Sequence, residues 1–234
     1  MLKSSGNYTI LFFCMSRRKL KKIHEAETFP NVFGEDVSKQ VGWPQSYFGN
    51  SLPVYLELGC GTGAYTLGLA GLLPVNVIGV DVKGARIWQG AKSALEQKID
   101  RVAFLRAGAE KLEEYFQPNS IEAIWITFPD PFPKKKQAKH RLTSPRFLEV
   151  YKKLLAKPFG SAQGKNGTVN LKTDDEALFD YSVEIAEACG WKIEKAMKNI
   201  YAKEVTDPAL LIQTTYEKRH LAEGRKIYYL RLCL

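Results

Sequence analysis

A glycine-rich stretch at residues 54–63, Val-Tyr-Leu-Glu-Leu-Gly-Cys-Gly-Thr-Gly, limits the possible folds of this chain more than any other feature. Five residues of strand character run into a turn that contains Gly59, Gly61 and Gly63, and a pattern typical of an apolar helix follows at once. A strand that ends in glycines and continues as a helix exposes backbone N–H groups and lets a ligand approach the main chain closely. The stretch therefore predicts a nucleotide-binding site.

Two carboxylates near this stretch bear on which nucleotide binds. Gly59, Gly61 and Ala64 fit the dinucleotide fingerprint, and Asp81 ends the next predicted strand about twenty residues further on, where a ribose would be held. Glu57 instead favours S-adenosylmethionine, because a carboxylate at the end of an apolar strand repels a pyrophosphate and attracts a cationic amino-acid group. We therefore expect S-adenosylmethionine as the cofactor. NAD and a glycine turn without a ligand are the alternatives, and a helix cap is the alternative for Asp81.

Strand and helix patterns alternate from residue 54 to the C-terminus. Seven strands are predicted at residues 54–58, 75–81, 102–106, 121–128, 167–173, 191–198 and 226–232. Helices are predicted at residues 63–73, 84–98, 109–116, 144–156 and 175–189. Such alternation predicts an α/β fold with a mostly parallel sheet and helices on both faces. Ligands of these sheets bind outside the carboxyl ends of the strands, so the site should lie in the loops that follow them.

The positive charge of the chain is concentrated in two short segments. The net charge is +9, and residues 17–22 and 134–141 each contain five lysines or arginines and no acidic residue. Without these two clusters the chain is close to neutral. Concentrated basic charge is typical of a surface that binds phosphates, as in nucleic acids. The alternative is that each cluster is only a solvated run of charge.

The length and composition predict one buried core with a terminal arm. The chain has 234 residues, of which 45% are hydrophobic. We interpret residues 1–40 as a basic N-terminal arm and residues 41–234 as the cofactor-binding domain. Residues 8–15 are apolar but too short to span a bilayer, and the basic cluster follows them, which is the wrong order for a secretory signal. We expect translation to begin at Met15, so that residues 1–14 are an upstream extension.

The cysteine pattern indicates neither disulfides nor a metal site. The four cysteines are scattered, without a C-x-x-C pair or a nearby histidine cluster. We therefore expect a cytoplasmic protein with no bound metal and no membrane partner.

The fourth predicted strand ends in a proline-rich segment, Phe128-Pro-Asp-Pro-Phe-Pro-Lys-Lys-Lys136. The three prolines should hold the backbone in extended conformations and fix the loop without secondary structure. Asp130 then lies on a stiff support at a strand end, where Phe132 is available to stack on a base and Lys134 to meet phosphate oxygens. The alternative is that the prolines only end the strand and the lysines are solvated.

Three further segments follow predicted strands. The backbone amide of Ala109 is expected to bind an adenine ring. Asp174 and Asp175 precede a helix, and we interpret Asp175 as its N-cap. Residues 214–219, Thr-Thr-Tyr-Glu-Lys-Arg, lie in a connection of about 25 residues, and connections of that length are usually functional or disordered.

With these residues assembled, the chain resembles the bacterial tRNA (guanine-46-N7)-methyltransferases over about residues 16–234. The motifs that carry the resemblance are Leu56-Glu-Leu-Gly-Cys-Gly-Thr-Gly63, the proline-rich segment, Lys172-Thr-Asp174 and Thr214-Thr-Tyr-Glu-Lys-Arg219. The glycine motif is common to all class I S-adenosylmethionine-dependent methyltransferases, whereas the proline-rich segment combined with Thr-x-Tyr-Glu is much narrower. The resemblance implies a Rossmann-like fold whose seven-stranded, mostly parallel sheet has an antiparallel last strand.

The resemblance also implies roles for individual residues. It implies methylation of N7 of guanosine 46 in the variable loop of tRNA. Glu57, Asp81 and Asp130 would bind the cofactor or line its pocket, together with the glycine turn. The residues implied on the substrate side are Lys134, Asp174, Thr214, Tyr216 and Glu217.

Two positions depart from the family pattern. Asp81 stands where the family usually has Glu, which shortens the reach to the ribose. Gly108 stands where the family tends to have Asn or Asp, and Glu110 is the candidate that would take over recognition of the adenine.

Methylation of guanine N7 needs alignment more than proton transfer. The N7 atom has an in-plane lone pair and no proton, so no general base is required, and the protein must orient the reactants. The purine gains positive charge, which a nearby carboxylate would stabilise; Asp130 is the candidate, with Asp174 as the alternative.

Three other functions fit parts of the sequence. They are a methyltransferase acting on a small molecule or a protein, a nicotinamide-dependent oxidoreductase, and a tRNA-binding module without catalysis. The sequence is compatible with a monomer or a homodimer.

Overall fold

The computed structural model describes residues 17–37, 40–157 and 166–234. The predicted upstream extension at residues 1–14 lies outside these residues. Among the described residues, no helix combines the length and the apolar character that crossing a bilayer requires.

The described chain contains one eight-stranded sheet. Its strands are β1 (Val32–Phe33), β2 (Val54–Leu58), β3 (Asn76–Val80), β4 (Val102–Leu105), β5 (Ala123–Thr127), β6 (Thr168–Thr173), β7 (Lys192–Met197) and β8 (Tyr228–Cys233). They lie in the order β1-β4-β3-β2-β5-β6-β8-β7. All neighbouring pairs are parallel except those of β8, which is antiparallel to β6 and to β7. The predicted α/β fold with an antiparallel last strand is therefore confirmed.

The sheet has one strand more than predicted. The seven predicted strands all form, and the eighth, β1, comes from the segment interpreted as the N-terminal arm. Two residues are too few to show a periodic pattern in the sequence, and β1 forms because it pairs with β4, with Val32 opposite Phe104.

The helices are α1 (Arg17–Ala26), α2 (Trp43–Phe48), α3 (Ala64–Leu72), α4 (Gly84–Glu96), α5 (Leu112–Tyr115), α6 (Pro145–Leu154), α7 (Glu176–Ala188) and α8 (Thr215–Ala222). The helices α1, α2 and α8 were not predicted. The predicted helix at 109–116 is a 3₁₀ turn over Ala109–Lys111 followed by the short α5.

The helices cover both faces of the sheet. Side chains from α2, α5, α6 and α7 share one apolar cluster, which includes Trp43 and Phe147. Side chains from α3 and α4 share the other, which includes Tyr65 and Ile87. Helix α1 packs on α4, so the basic arm begins against the domain. Because both faces are covered, all five residues of β3 are buried.

The glycine turn after β2 packs closely on the neighbouring strand. The backbone N–H groups of Gly59 and Cys60 both donate to the carbonyl oxygen of Val80, at 2.8 and 3.1 Å. Gly63 has a φ of 74°, and a Cβ atom there would lie 2.7 Å from the ring of Phe104. Only glycine fits at this position. Since β2 lies between β3 and β5, the strand order reverses here, where α/β sheets open a ligand crevice.

Candidate functional site

A cleft in two parts lies along the carboxyl ends of β2, β3, β4 and β5. The first part, of about 540 Å³, is lined by residues that include Asp81, Gly108 and Ala109. The second part, of about 420 Å³, is lined by residues that include Glu57 and Tyr216. The wall common to both parts consists of Gly59, Lys83, Arg86, Phe128 and Asp130. Asp130 is therefore shared by the two parts.

Glu57 ends β2 as a buried carboxylate. The hydroxyl groups of Thr66, on α3, and Thr127, on β5, donate to its two oxygens, the latter over 2.7 Å. Burial raises the pKa of Glu57 from 4.5 to about 7, against the opposing effect of the two hydrogen bonds. The site therefore holds a carboxyl group whose charge is costly in the absence of a cation.

Asp81 connects the glycine turn to the start of α4. One of its oxygens accepts from the backbone N–H of Gly61 at 3.0 Å, and the other accepts from the N–H of Lys83 at 2.8 Å. Lys83 is the N-cap residue of α4 and has no side-chain cap hydrogen bond, so Asp81 is not the cap of this helix and instead orders the turn before it. The same carboxylate lines the first part of the cleft.

The loop after β5 is shaped by two residues in the left-handed region. Phe128 and Phe132, each followed by a proline, have φ values of 49° and 46°. Such conformations cost roughly 1–3 kcal/mol each and occur mainly where surrounding contacts enforce them. The prediction of extended backbone is therefore wrong at Phe128 and Phe132, whereas residues 128–134 form no helix or strand, as predicted.

Arg141 supplies the contacts that enforce the loop. Its guanidinium donates to the carbonyl oxygens of Pro131 and Phe132 at 3.0 and 3.1 Å, and lies 4.2 Å from the ring centre of Tyr181. Arg141 belongs to the second basic cluster of the sequence, yet it is used inside the protein. Asp130 remains exposed on the loop that Arg141 fixes.

Lys134 does not line the cleft. It is an exposed N-cap residue of the 3₁₀ helix Lys135–His140 and projects from the far end of the proline-rich loop. Phe132 does line the first part of the cleft, with its ring centre 5.7 Å from that of His140.

Glu110 occupies the space beside Gly108. A Cβ atom built on Gly108 would overlap the carboxylate of Glu110. Gly108, Ala109 and Glu110 all line the first part of the cleft. The structure thus places the Glu110 carboxylate where a side chain at position 108 would lie.

The substrate-side candidates fall into two groups. Thr214 and Tyr216 line the second part of the cleft, and Tyr216 is 51% exposed. Asp174 lies outside both parts: its Oδ2 atom is 2.9 Å from Arg225 Nη1 and 3.2 Å from His220 Nδ1. Glu217 is fully buried, 2.8 Å from the Lys172 ammonium.

Two helix N-caps at the site match known capping patterns in the sequence. Asp175 accepts from the N–H of Leu178 at 2.7 Å, so the predicted N-cap of α7 is confirmed. Thr214 accepts from the N–H of Glu217 at 3.1 Å and caps α8. The spacing Thr-x-x-Glu is a capping-box signature, which is the sequence signal that would have revealed α8.

The first turn of α4 contributes cleft residues that the sequence did not suggest. Lys83 and Arg86 are exposed and line both parts of the cleft. Their spacing of three places them on one helix face directly after Asp81. Among the described residues no group of His, Cys, Asp or Glu side chains could hold a metal ion.

Comparisons with known proteins identify a family and close relatives of this chain. A family model described as "Putative methyltransferase" matches residues 51–230. A tRNA (guanine-N(7)-)-methyltransferase of Christiangramia forsetii is 41% identical over 226 residues, which cover 92% of this chain and 97% of that protein. The enzyme of the same name from Cytophaga hutchinsonii is 40% identical over 223 residues, which cover 93% of this chain and 97% of that protein.

A solved structure shares the fold at low identity. The 16S rRNA methyltransferase KamB matches with a TM-score of 0.60 at 13% identity, over 81% of this chain and 91% of that chain. At this identity the likeness concerns the fold alone.

The raised pKa of Glu57 predicts a pH-dependent stability. The folded protein binds a proton that the unfolded chain releases near pH 4.5, so its free energy of unfolding should fall as the pH rises to about 7. Glutamine does not titrate. We expect the stability of Glu57→Gln relative to the wild type to increase by about 2–3 kcal/mol between pH 5 and pH 8, measured by urea unfolding. Glu96→Gln, an exposed change on α4, is the control, and an equal pH dependence in both variants would contradict the assignment.

Proposed function

Because this chain belongs to the tRNA (guanine-N7)-methyltransferase family, we propose that it transfers the methyl group of S-adenosylmethionine to N7 of guanosine 46 in the variable loop of tRNA. The observation that carries the proposal is the position of Asp130 in the wall shared by the two parts of the cleft. The nicotinamide interpretation of the glycine turn does not fit a member of this family.

The residues of the cleft suit S-adenosylmethionine. Glu57 would pair with the ammonium group of the amino-acid end, which compensates the cost of its buried charge. The glycine turn, with Gly59, Gly61 and Gly63, would line the same end. Asp81 would accept from the ribose hydroxyls, and the amide of Ala109 would bind the adenine.

When bound, S-adenosylmethionine supplies a methyl group on a sulfonium centre, which is electrophilic without further activation. Guanine N7 has a lone pair and no proton, so no base is needed to activate it. The task of the protein is therefore to orient the two reactants. Asp130 is the proposed catalytic residue, because a carboxylate at the junction of the two parts would stabilise the positive charge that develops on the purine. The Arg141 contacts keep its loop in place before substrate arrives.

The substrate side is proposed to be the second part of the cleft. A guanine held by tertiary pairing would have to leave its stack to present N7, and Tyr216 or Phe132 would then stack on it. Thr214 lies next to Tyr216 on the same wall. Lys134, on the exposed loop, would hold a flanking phosphate. Asp174 and Glu217, which line neither part of the cleft, would support this side through their ion pairs.

A basic ridge leads to the cleft and suits the tRNA backbone. Helix α1 carries exposed Arg17, Arg18, Lys19 and Lys21 and packs on α4. The Nζ atom of Lys22 lies 4.2 Å from the ring centre of Trp88, which fixes the two helices together. Lys83 and Arg86, at the start of α4, line the cleft, so the tRNA backbone would meet positive charge both on the arm and at the site. A protein that acts on tRNA is expected in the cytoplasm.

A methyl-transfer assay tests the proposed function. The protein is incubated with labelled S-adenosylmethionine and unmodified tRNA, which is digested and analysed for the modified nucleoside. We expect label only in 7-methylguanosine, and no label in a tRNA with adenosine at position 46. Label in another nucleoside, or in metabolites or proteins but not in tRNA, would assign a different acceptor. Binding of tRNA without transfer would identify a non-catalytic module.

The charge of Asp130 should matter for turnover more than for binding. We expect Asp130→Asn, which keeps the shape of the side chain, to lower kcat by about 100-fold or more because stabilisation of the purine charge is lost. The dissociation constants of tRNA and S-adenosylhomocysteine should change by less than about threefold. Asp180→Asn, an exposed change on α7 that lines neither part of the cleft, is the control. Unchanged kcat in Asp130→Asn would remove its catalytic role.

Binding of tRNA should depend on salt through the ridge. The logarithm of the association constant should fall linearly with the logarithm of salt concentration, because phosphate contacts release counterions. Arg18→Ala with Lys21→Ala should make the slope shallower by about two, one for each lost contact. Lys153→Ala with Lys157→Ala, at the end of α6 near the start of β5, is the control. A wild-type affinity for tRNA that does not change with salt would contradict the proposal that the basic ridge binds tRNA phosphates.

A further inference from the structure

Lys172 is a buried cation beneath the second part of the cleft. It lies in β6, where its side chain has no exposed surface. Its Nζ atom donates to the carbonyl oxygens of Leu210 and Ile212 at 2.9 and 3.1 Å and to Glu217 Oε2 at 2.8 Å. An ammonium group has three donors, and all three are used here.

Glu217 is occupied on both of its oxygens. While Oε2 accepts from Lys172, Oε1 accepts from the hydroxyl of Tyr201 at 2.8 Å. That hydroxyl in turn accepts from Gln213 at 3.1 Å. Because Glu217 has no exposed side-chain surface, contact with a substrate base would require these bonds to break.

The same contacts fix the chain that borders the cleft. The hydroxyl of Tyr65 donates to the carbonyl oxygen of Ala209 at 2.7 Å, and Ile212 packs against Gly68 of α3, where a Cβ atom would lie 2.5 Å from it. With Lys172, these contacts hold residues 209–217 on both sides of Thr214 and Tyr216. Thr214 and Tyr216 therefore lie between residues that are bound to β6 and α3.

An ion pair in this position is not explained by stability alone. Burial lowers the pKa of Lys172, although the Glu217 carboxylate opposes that effect. Removal of two charges from water is costly, and apolar pairs of similar volume commonly stabilise a fold at least as well. What the pair adds is a defined conformation, because the three hydrogen bonds of the ammonium group can form in only one arrangement of residues 209–217.

We propose that Lys172 is a positioning residue for the substrate: its ammonium group fixes residues 209–217 and thereby places Thr214 and Tyr216, while Glu217 acts through this contact and not by touching the guanine. This inference rests on the proposed function, because it assigns the second part of the cleft to the tRNA base. It predicts that loss of the ion pair lowers kcat/KM for tRNA and leaves the affinity for the cofactor unchanged.

The test replaces the ion pair with an uncharged pair and compares this variant with the wild type. Lys172→Met combined with Glu217→Leu leaves no buried charge unpaired, so the protein should fold, with a melting temperature lowered by the loss of the donor to the carbonyl oxygens of Leu210 and Ile212. We expect kcat/KM for tRNA to fall about 100-fold, as for a misplaced contact group. The affinity for S-adenosylhomocysteine should stay within about threefold of the wild type. Lys153→Met, exposed at the end of α6, is the matched control with unchanged kcat/KM.

A double-mutant cycle shows whether the effect passes through the cleft-lining residue. If Lys172 acts by placing Tyr216, the loss caused by Tyr216→Ala should largely disappear in the charge-free background, whereas independent effects would add. If the charge-free protein does not fold, Tyr201→Phe is used instead, because it removes one hydrogen bond from Glu217 and leaves Lys172 in place. We expect it to give a smaller loss of kcat/KM for tRNA.

Three results would overturn the proposal. They are wild-type kcat/KM in the folded charge-free variant, additive losses in the cycle, and wild-type kcat/KM in Tyr201→Phe where the charge-free variant is unfolded. Each leaves the proposed function intact, because the wild type still methylates tRNA. A wild type that binds S-adenosylhomocysteine but methylates no tRNA would instead refute the proposed function, and this inference with it.

Discussion

The buried carboxylate of Glu57 is the interaction on which the arrangement of the cleft depends. It receives one hydroxyl from α3 and one from β5, so it joins the two sides of the crevice at the point where the strand order reverses. A carboxyl group at the end of an apolar strand carries a desolvation cost, which hydroxyl donors reduce only in part. A cationic ligand group would complete this set of contacts. The glycine turn lies directly against the end of β3, where the N–H groups of Gly59 and Cys60 donate to the carbonyl oxygen of Val80.

Two loops border the cleft, and both are held by cations that donate to carbonyl oxygens. Arg141 holds the loop of Asp130 through Pro131 and Phe132, and Lys172 holds the segment of Tyr216 through Leu210 and Ile212. Neither loop has regular hydrogen bonds of its own at these carbonyls, so a charged donor satisfies them and defines their direction. Basic residues in this protein therefore have two separate uses, one inside the loops and one on the surface.

The strand ends that carry the site could be predicted from the sequence, because alternation of strands and helices places their carboxyl ends on one edge. That rule brings Glu57, Asp81, Ala109 and Asp130 to one cleft without any knowledge of contacts. It does not tell which side chains at the edge stay exposed. Glu217 and Asp174 also belong to the motifs of the resemblance, but their side chains form ion pairs with Lys172 and Arg225. Both partners are distant in sequence, so the pairing could not be predicted. The backbone of Phe128 and Phe132 was also beyond prediction, since tertiary contacts impose it against local preference.

The short strand β1 has a consequence for how the molecule behaves in a crowded solution. Its backbone occupies the outer edge of β4, where the N–H groups of Phe104 and Arg106 donate to Asn31 and Phe33 at 2.8 Å. The strand beneath it is the apolar sequence Val-Ala-Phe-Leu, buried at every position. Uncovered, such an edge would be a template on which another chain could add a strand. Two residues of the N-terminal segment thus cover this edge of the sheet, the one opposite β7, against pairing with another chain.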